Sequence, residues 1–336
     1  MRTLGIALLV LSAVLAVLAP AVAPHAIDWQ IAGQLNAPPT TPHIVDASGS
    51  WHAPFIYRRV LVSQLEQRYE DDRSHTVPLA WFTGGHLVES ADEVGAPLLV
   101  LGSDSFGRDV FSRLLFGART SLGLALVAAF GAVFLGALVG GAAGYAGGTA
   151  DDVLMRATDF VLVLPAMYVA LALRAVLPLV LAPATVFALL ASIFAVVGAP
   201  FIARGVRAIV RTERHAEYAV AAVSLGAGPL RVLGLHLLPA ARGFVVVELT
   251  MLVPSFIVAE ATLSYVGLGF PDAIASCGTM LHDASGIRVF ADFPWLLSPA
   301  AAMFVVVFAL NLVLQKSGTA LVATGRSGDL HYNRKK

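Results

Sequence analysis

The chain has 336 residues, of which 57% are hydrophobic and 13% charged, and its 22 basic and 22 acidic residues cancel to a formal net charge of zero. A mean hydropathy of +0.78 indicates a polytopic membrane protein, and the neutral balance gives no footprint for nucleic-acid binding. The one cysteine, Cys277, can form neither an internal disulfide nor a thiolate metal site by itself and reads as a small apolar filler.

A helix needs about 20 predominantly apolar residues to cross a bilayer. Uncharged runs of that kind occupy 4–23, 120–150, 175–203 and 293–315, while 160–181 is interrupted only by Arg174 and 243–270 only by Glu248 and Glu260. These predict six spans. The first, 4–23, can also be read as a signal peptide, with Arg2 before the apolar core and Ala21-Val22-Ala23 as a cleavage site, but Pro24 directly afterwards favours a retained anchor over 1–24. Arginines at 204, 207, 211, 214, 231 and 242, with Lys316, Arg326, Arg334, Lys335 and Lys336, predict that both termini and the segment between the fourth and fifth spans lie in the cytoplasm.

Residues 25–100 form a polar, proline-containing insert expected on the outer side, with apolar patches sufficient for a small folded or strand-bearing cap. Its excess of acids reads as a solvated surface ahead of a funnel for cationic substrates. His25, His43, His52, His75 and His86 show no metal-ligand spacing and are expected to be scattered surface residues.

Over 101–119, Phe106, Val110, Phe111, Leu114 and Leu115 fall on one helical face and Arg108, Asp109, Ser112 and Arg113 on the other, predicting an interfacial amphipathic helix with Asp104 as its N-cap. The second span carries small residues at every fourth position, Ala128, Ala132, Gly136, Gly140, Gly144 and Gly148, a stripe that lets a neighbouring helix approach closely in lipid. Ionisable residues inside spans are functional candidates. Asp159 and Arg174 lie near span ends and can snorkel, whereas Glu260 is deeper. It either lines a pathway, braces a subunit interface, or makes a structural hydrogen bond.

The segment 217–239, EYAVAAVSLGAGPLRVLGLHLLP, stands out between strongly apolar runs. Glu217 to Ser224 is a high-propensity, alanine-rich stretch, Gly226 and Gly228 break it, helical spacing resumes at Leu230, and Pro239 is expected to begin the next element. It resembles the cytoplasmic coupling loop of ABC-transporter permeases, a pattern of Glu-Ala-Ala, Gly and Leu-Pro matched by Ala221, Ala222, Gly226, Leu238 and Pro239, with Val220 at the Glu position. Two further stretches resemble the C-type subunits of dipeptide, oligopeptide and nickel importers. One is Leu101-Gly102-Ser103-Asp104 followed by Gly107-Arg108-Asp109 and Gly117-Ala118-Arg119; the other is the fifth-span exit AEATLSYVGLGF, with Cys277 where the family usually has Trp.

The resemblance implies an all-α, polytopic membrane permease subunit with six transmembrane helices: a core over 120–316 holding a coupling loop at 205–240, an outer insert, and a cytoplasmic tail at 317–336. It implies that ATP and Mg act on partner ATPase subunits and that this chain binds no cofactor. A second, B-type permease subunit and an extracytoplasmic solute-binding protein complete the implied assembly in the inner membrane, surrounded by lipid. Arg214 and Glu217 are expected to add polar contacts to the ATPase, and Gly226 to supply the turn. The sequence contains no phosphate-binding Gly-x4-Gly-Lys-Ser/Thr loop, zinc-hydrolase His-Glu-x2-His or nucleophile-turn Gly-x-Ser-x-Gly pattern. An ion-coupled secondary transporter is the alternative. An intramembrane enzyme fits poorly, because Glu248 and Glu260 would lie about 18 Å apart along one helix.

Overall fold

The computed structural model describes residues 2–31, 33–46, 49–165, 168–169, 172 and 182–313. Most of the third predicted span, with Arg174, and the whole 317–336 tail lie outside the described residues. Contacts divide the chain into two units, Met1–Thr120 with Pro271–Lys336, and Ser121–Phe270.

In the first unit, α1 (Arg2–Val17) and the short α2 (Ala19–Val22) form the amino-terminal helical segment. A Cβ placed on Gly5 would lie 2.9 Å from the carbonyl oxygen of Ala309, so α1 packs backbone to backbone on the last helix, Pro294–Val313. The insert then departs from the all-α expectation. Strands β1 (His43–Val45), β2 (Trp51–Ser63), β3 (Arg68–Trp81) and β4 (Val88–Ser90) form an antiparallel meander in sequence order. Its residues are rich in β-branched and aromatic types, which suit a pleated, half-buried surface, and the sheet covers a small core of Ile56, Ala96 and Leu98. Local apolar patches too short to span a membrane satisfied their backbone groups by pairing with one another.

The amphipathic helix expected over 101–119 is a helix only in its second half. Residues 101–109 form a tight loop closed by a bridge between Ser103 and Asp109, in which the Asp104 carboxylate accepts from the backbone N–H of Phe106 at 2.8 Å and of Arg108 at 2.9 Å. Helix α3 (Val110–Ala146) begins afterwards. Its N-cap is Asp109, which accepts from the N–H groups of Phe111 and Ser112 at 3.1 and 3.2 Å, and not Asp104. The charges assigned to a wet face are buried and paired. Arg108 bonds Asp104 at 2.6 Å and Asp283 at 2.9 Å, and both Arg108 and Arg113 donate to the carbonyl of Asp272 at 3.2 Å. Helical periodicity could not reveal this, because Asp272 and Asp283 arrive from more than 150 residues away. Burial pushes the Asp283 carboxyl up, with Arg108 opposing.

Two expected surface histidines are also engaged. His25 is buried, with Nδ1 3.2 Å from Asp109 and its ring stacked on Trp29 at 3.7 Å, and His86 Nδ1 lies 2.6 Å from the carbonyl oxygen of Ala23. Beyond Pro271 come α9 and α10, Cys277–Asp283 and Ile287–Asp292. Cys277 is buried, at the first position of a helix capped reciprocally by Ser276 and Thr279.

In the second unit α3 continues to Ala146, and the consecutive positive φ values of Gly147 and Gly148, 67° and 57°, turn the chain into α4 (Gly148–Val163). Helix α5 is Pro183–Glu213. The small stripe of α3 lies against it: a Cβ on Gly136 would meet Ile202 at 2.5 Å, one on Gly140 the carbonyl oxygen of Ala203 at 2.2 Å, and one on Gly144 that of Arg207 at 2.7 Å. Ala128 and Ala132 on the same stripe are fully buried. Gly148 does not take part, because the helix has ended before it. Four described helices, Val110–Ala146, Pro183–Glu213, Pro229–Tyr265 and Pro294–Val313, are long and apolar enough to cross a membrane, and Thr3–Val17 is a shorter apolar helix.

Candidate functional site

The site is built where α5 leaves the membrane-length register. Ala216 is extended (φ −68°, ψ 148°), which starts α6 (Glu217–Ser224) on a new axis with Glu217 in its first turn, where a carboxylate suits the positive end of the helix dipole. The boundaries are those read from the sequence. The inner face of α6 is alanine: Ala219 is buried and Ala222 packs beside it on a core of Ile202, Val206, Val210, Val232 and Leu237. Small side chains bring the backbone of α6 close to residues 229–237.

Gly226 ends α6 in the left-handed region at φ +88°. The N–H of Ala227 bonds the carbonyl of Ala222 at 3.0 Å and the N–H of Gly226 bonds that of Val223 at 2.9 Å, which together make a Schellman closure with Ala227 packed on the same core as Ala222. Nothing lies within 4 Å of a Cβ at Gly226. The requirement for glycine here is therefore conformational and not steric.

Beyond the turn, α7 (Pro229–Val232) starts with proline at its first position, where the missing N–H costs nothing. Pro239 stands at the second position of the 3-10 turn Leu238–Ala241, in keeping with the expectation that it begins an element. It sits in a helical rod continuous from Pro229 to Tyr265, which passes through a π-turn at Leu233–Leu237 and a 3-10 turn at Leu238–Ala241 into α8 (Arg242–Tyr265). Proline lacks the N–H and crowds the carbonyl four residues earlier, and the widened turn takes up that mismatch. Leu238 packs over Gly141 of α3, with Cδ2 3.3 Å from where a Cβ would stand.

Arg214 does not point away from the chain. Its Nη1 donates to the carbonyls of Tyr145 at 3.0 Å and Gly144 at 3.3 Å, and its Nε donates to His215. A cation on the last carbonyls of α3 complements the negative end of that helix. Neighbouring Asp151 on α4 receives a bidentate pair from Arg207, one arm at 2.6 Å, with Arg211 at 3.7 Å, and the hydrogen bonds from Arg207 hold its carboxyl below the usual range. Sequence reading missed this clamp, although an acid one turn past an apolar span and an arginine at the end of another were the available signal.

The outer face of the segment is exposed and mostly apolar. Glu217, Tyr218, Val220, Ala221 and Val223 all face away from the core, and Leu225 and Leu230 are 89% and 86% exposed. Tyr218 donates to Glu213 at 2.6 Å, and that bond pushes its phenol up.

Glu260 is elsewhere and wholly enclosed, with 0% exposure. Its carboxyl accepts from Ser121 at 2.7 Å and from Ser264 at 2.8 Å, so it ties α8 to α3 within one subunit. Ser264 in turn accepts from the N–H of Phe270 at 3.1 Å. These bonds are the ones expected of the structural hydrogen-bond reading.

Residues 132–323 match a family described as the binding-protein-dependent transport system inner membrane component. The oligopeptide transport system permease protein OppC of Bacillus subtilis is 36% identical over 63% of this chain and 67% of its own. The dipeptide transport system permease protein DppC of Haemophilus influenzae is 30% identical over 70% of this chain and 75% of its own. The glutathione transport system permease protein GsiD of Pectobacterium atrosepticum is 33% identical over 63% and 68%.

Proposed function

This chain belongs to the family of inner membrane components of binding-protein-dependent transport systems, and from that premise we propose that it is the C-type permease subunit of an ATP-driven peptide importer. A separate binding protein delivers the peptide from outside. This chain and a B-type permease subunit enclose the pathway, and ATP with Mg is bound and hydrolysed on partner ATPase subunits. Both termini and α6 lie in the cytoplasm of this multi-pass inner membrane protein, and the insert faces outward.

The observation that carries the reading is the two-faced character of α6. One face, Ala219 and Ala222, is packed into the subunit, and the other presents Glu217, Val220, Ala221 and Val223 with Leu225 and Leu230 beyond the turn. Exposed apolar groups clustered beside polar ones mark a protein contact. A rigid, short helix anchored at Gly226, at Leu238 and through Arg214 passes a push on its outer face to α3, α5 and α8 together. Alternating access then follows as a shift between inward- and outward-open states. Arg214 acts as a positioning residue and Val220 as part of the contact face, with an aliphatic group where the family pattern has Glu.

Cross-linking tests this. With the buried Cys277 replaced by Ser, a cysteine at Leu225 should form a disulfide or linker adduct with the ATPase subunit and with no outer protein, and uptake should stop when that subunit is removed. Uptake that persists without it would move the chain to the ion-coupled class.

A further inference from the structure

The first unit contains a cavity of about 530 Å³ between the tip of the β2–β3 hairpin and the start of the last membrane helix. That volume falls within the range of small-ligand pockets, roughly 300–1,000 Å³, enough for a short peptide and too small for a folded partner. Its walls are Tyr69, Phe293 and Trp295, and its charged groups are Glu66, Arg68 and Asp292.

The walls are fixed. The hairpin tip is held by Tyr69, whose hydroxyl donates to the carbonyl of Leu35 at 2.7 Å, and by Gln67, which accepts from Asn36 at 2.8 Å. Burial pushes the Tyr69 phenol up, so it stays a neutral donor. On the other side Trp295 Nε1 donates to the carbonyl of Ser103 at 3.1 Å, and its ring meets Phe293 edge-on at 5.7 Å. Arg68 is different. Its side chain is 65% exposed and, among the described residues, pairs only with Glu70 at 3.3 Å, itself 58% exposed. Such an exposed pair is weak, so a ligand carboxylate can replace Glu70 at little cost and bind the guanidinium fork in bidentate fashion.

We propose that this cavity is an outer subsite for a short peptide with both termini free: Arg68 takes the terminal carboxylate, Glu66 and Asp292 the ammonium, and the three rings a side chain. Groups of both charges and three aromatic rings line the same cavity, so the ends and a side chain of one short peptide can be met together. The hairpin half lies outside the family-matched residues, 132–323, so the family match assigns no role to Glu66, Arg68 or Tyr69. The proposal rests on the reading of the chain as a peptide-importer subunit.

The test uses the full transporter in nanodiscs, without binding protein or ATP, and the dipeptide Ala-Phe with its N-acetyl and C-amide derivatives. Ala-Phe should bind saturably. Arg68→Ala should weaken Ala-Phe about tenfold and leave the C-amide unaffected, and Glu66→Gln with Asp292→Asn should weaken Ala-Phe and leave the N-acetyl form unaffected. Arg68 is exposed, so its variant keeps the fold. No binding to the wild type, or equal losses for free and capped peptides, would overturn the subsite. ATP-driven peptide uptake in that case would leave the importer reading intact, whereas pocket binding without any ATP-dependent uptake would overturn the importer reading alone.

Discussion

The guanidinium of Arg214 donates to the carbonyl of Tyr145 at 3.0 Å, so the residue that leads into α6 also closes the end of α3. One side chain thereby joins the contact helix to a membrane-length helix of 37 residues. Replacing Arg214 by Gln should cost about 0.3–1 kcal/mol of local stability and speed amide exchange over residues 217–224. Uptake per ATP hydrolysed should fall. Unchanged exchange in that segment would refute the capping role.

Gly226 holds a left-handed conformation in open space. Any L-residue there costs on the order of 1–2 kcal/mol, with Asn the mildest. Gly226→Asp should insert and assemble normally yet separate ATP hydrolysis from peptide uptake, with Gly226→Asn intermediate. Reconstituted vesicles with a coupled ATPase and uptake assay give the answer, and normal transport by the Asp variant would contradict it.

The Asp151 carboxyl is held below its ordinary value by Arg207. A depressed folded-state value means that the clamp stabilises the fold above the unfolded value of about 3.9 and is lost as pH falls through the folded value. Spin labels on α4 and α5 should keep one narrow distance at neutral pH and broaden only in strong acid. Asp151→Asn should show the broad distribution at every pH.

Gly140 and Gly123 lie on the same helix and offer an internal control. A Cβ at Gly140 would stand 2.2 Å from the carbonyl oxygen of Ala203, while one at Gly123 meets nothing within 4 Å. Gly140→Ala should lower thermal stability through overpacking by about 1–3 kcal/mol, and Gly123→Ala should leave it unchanged or slightly raised. Equal melting of the two variants would rule out the close approach of α3 and α5.

Glu260→Leu should remove the acceptor that Ser121 and Ser264 share, at a cost of about 1–3 kcal/mol. Glu260→Gln retains an acceptor and should melt close to the wild type. A Gln variant as unstable as Leu would show that more than hydrogen bonding holds α8 to α3 here.

Apolar runs of membrane length, the boundaries of α6 and its glycine stop were all determined by the sequence alone, because each depends on residues within a few turns of one another. The same holds for the small stripe of α3, whose period of four is a property of one helix. Tertiary structure decided the rest. The inward packing of Ala219 and Ala222 came from the structure. Arg108 and Arg113 look like a wet helix face until Asp272 and Asp283 supply their partners, and Arg214 looks free until the end of α3 arrives beneath it. A strand-bearing cap was among the forms expected of the insert, and the structure supplied the pairing of its four strands in sequence order. Pro239 opens a 3-10 turn as expected, and only the structure shows that the π-turn before it keeps that turn within one helical rod. A charge or a backbone group shows its need in sequence, but the residue that satisfies it is chosen by proximity in space.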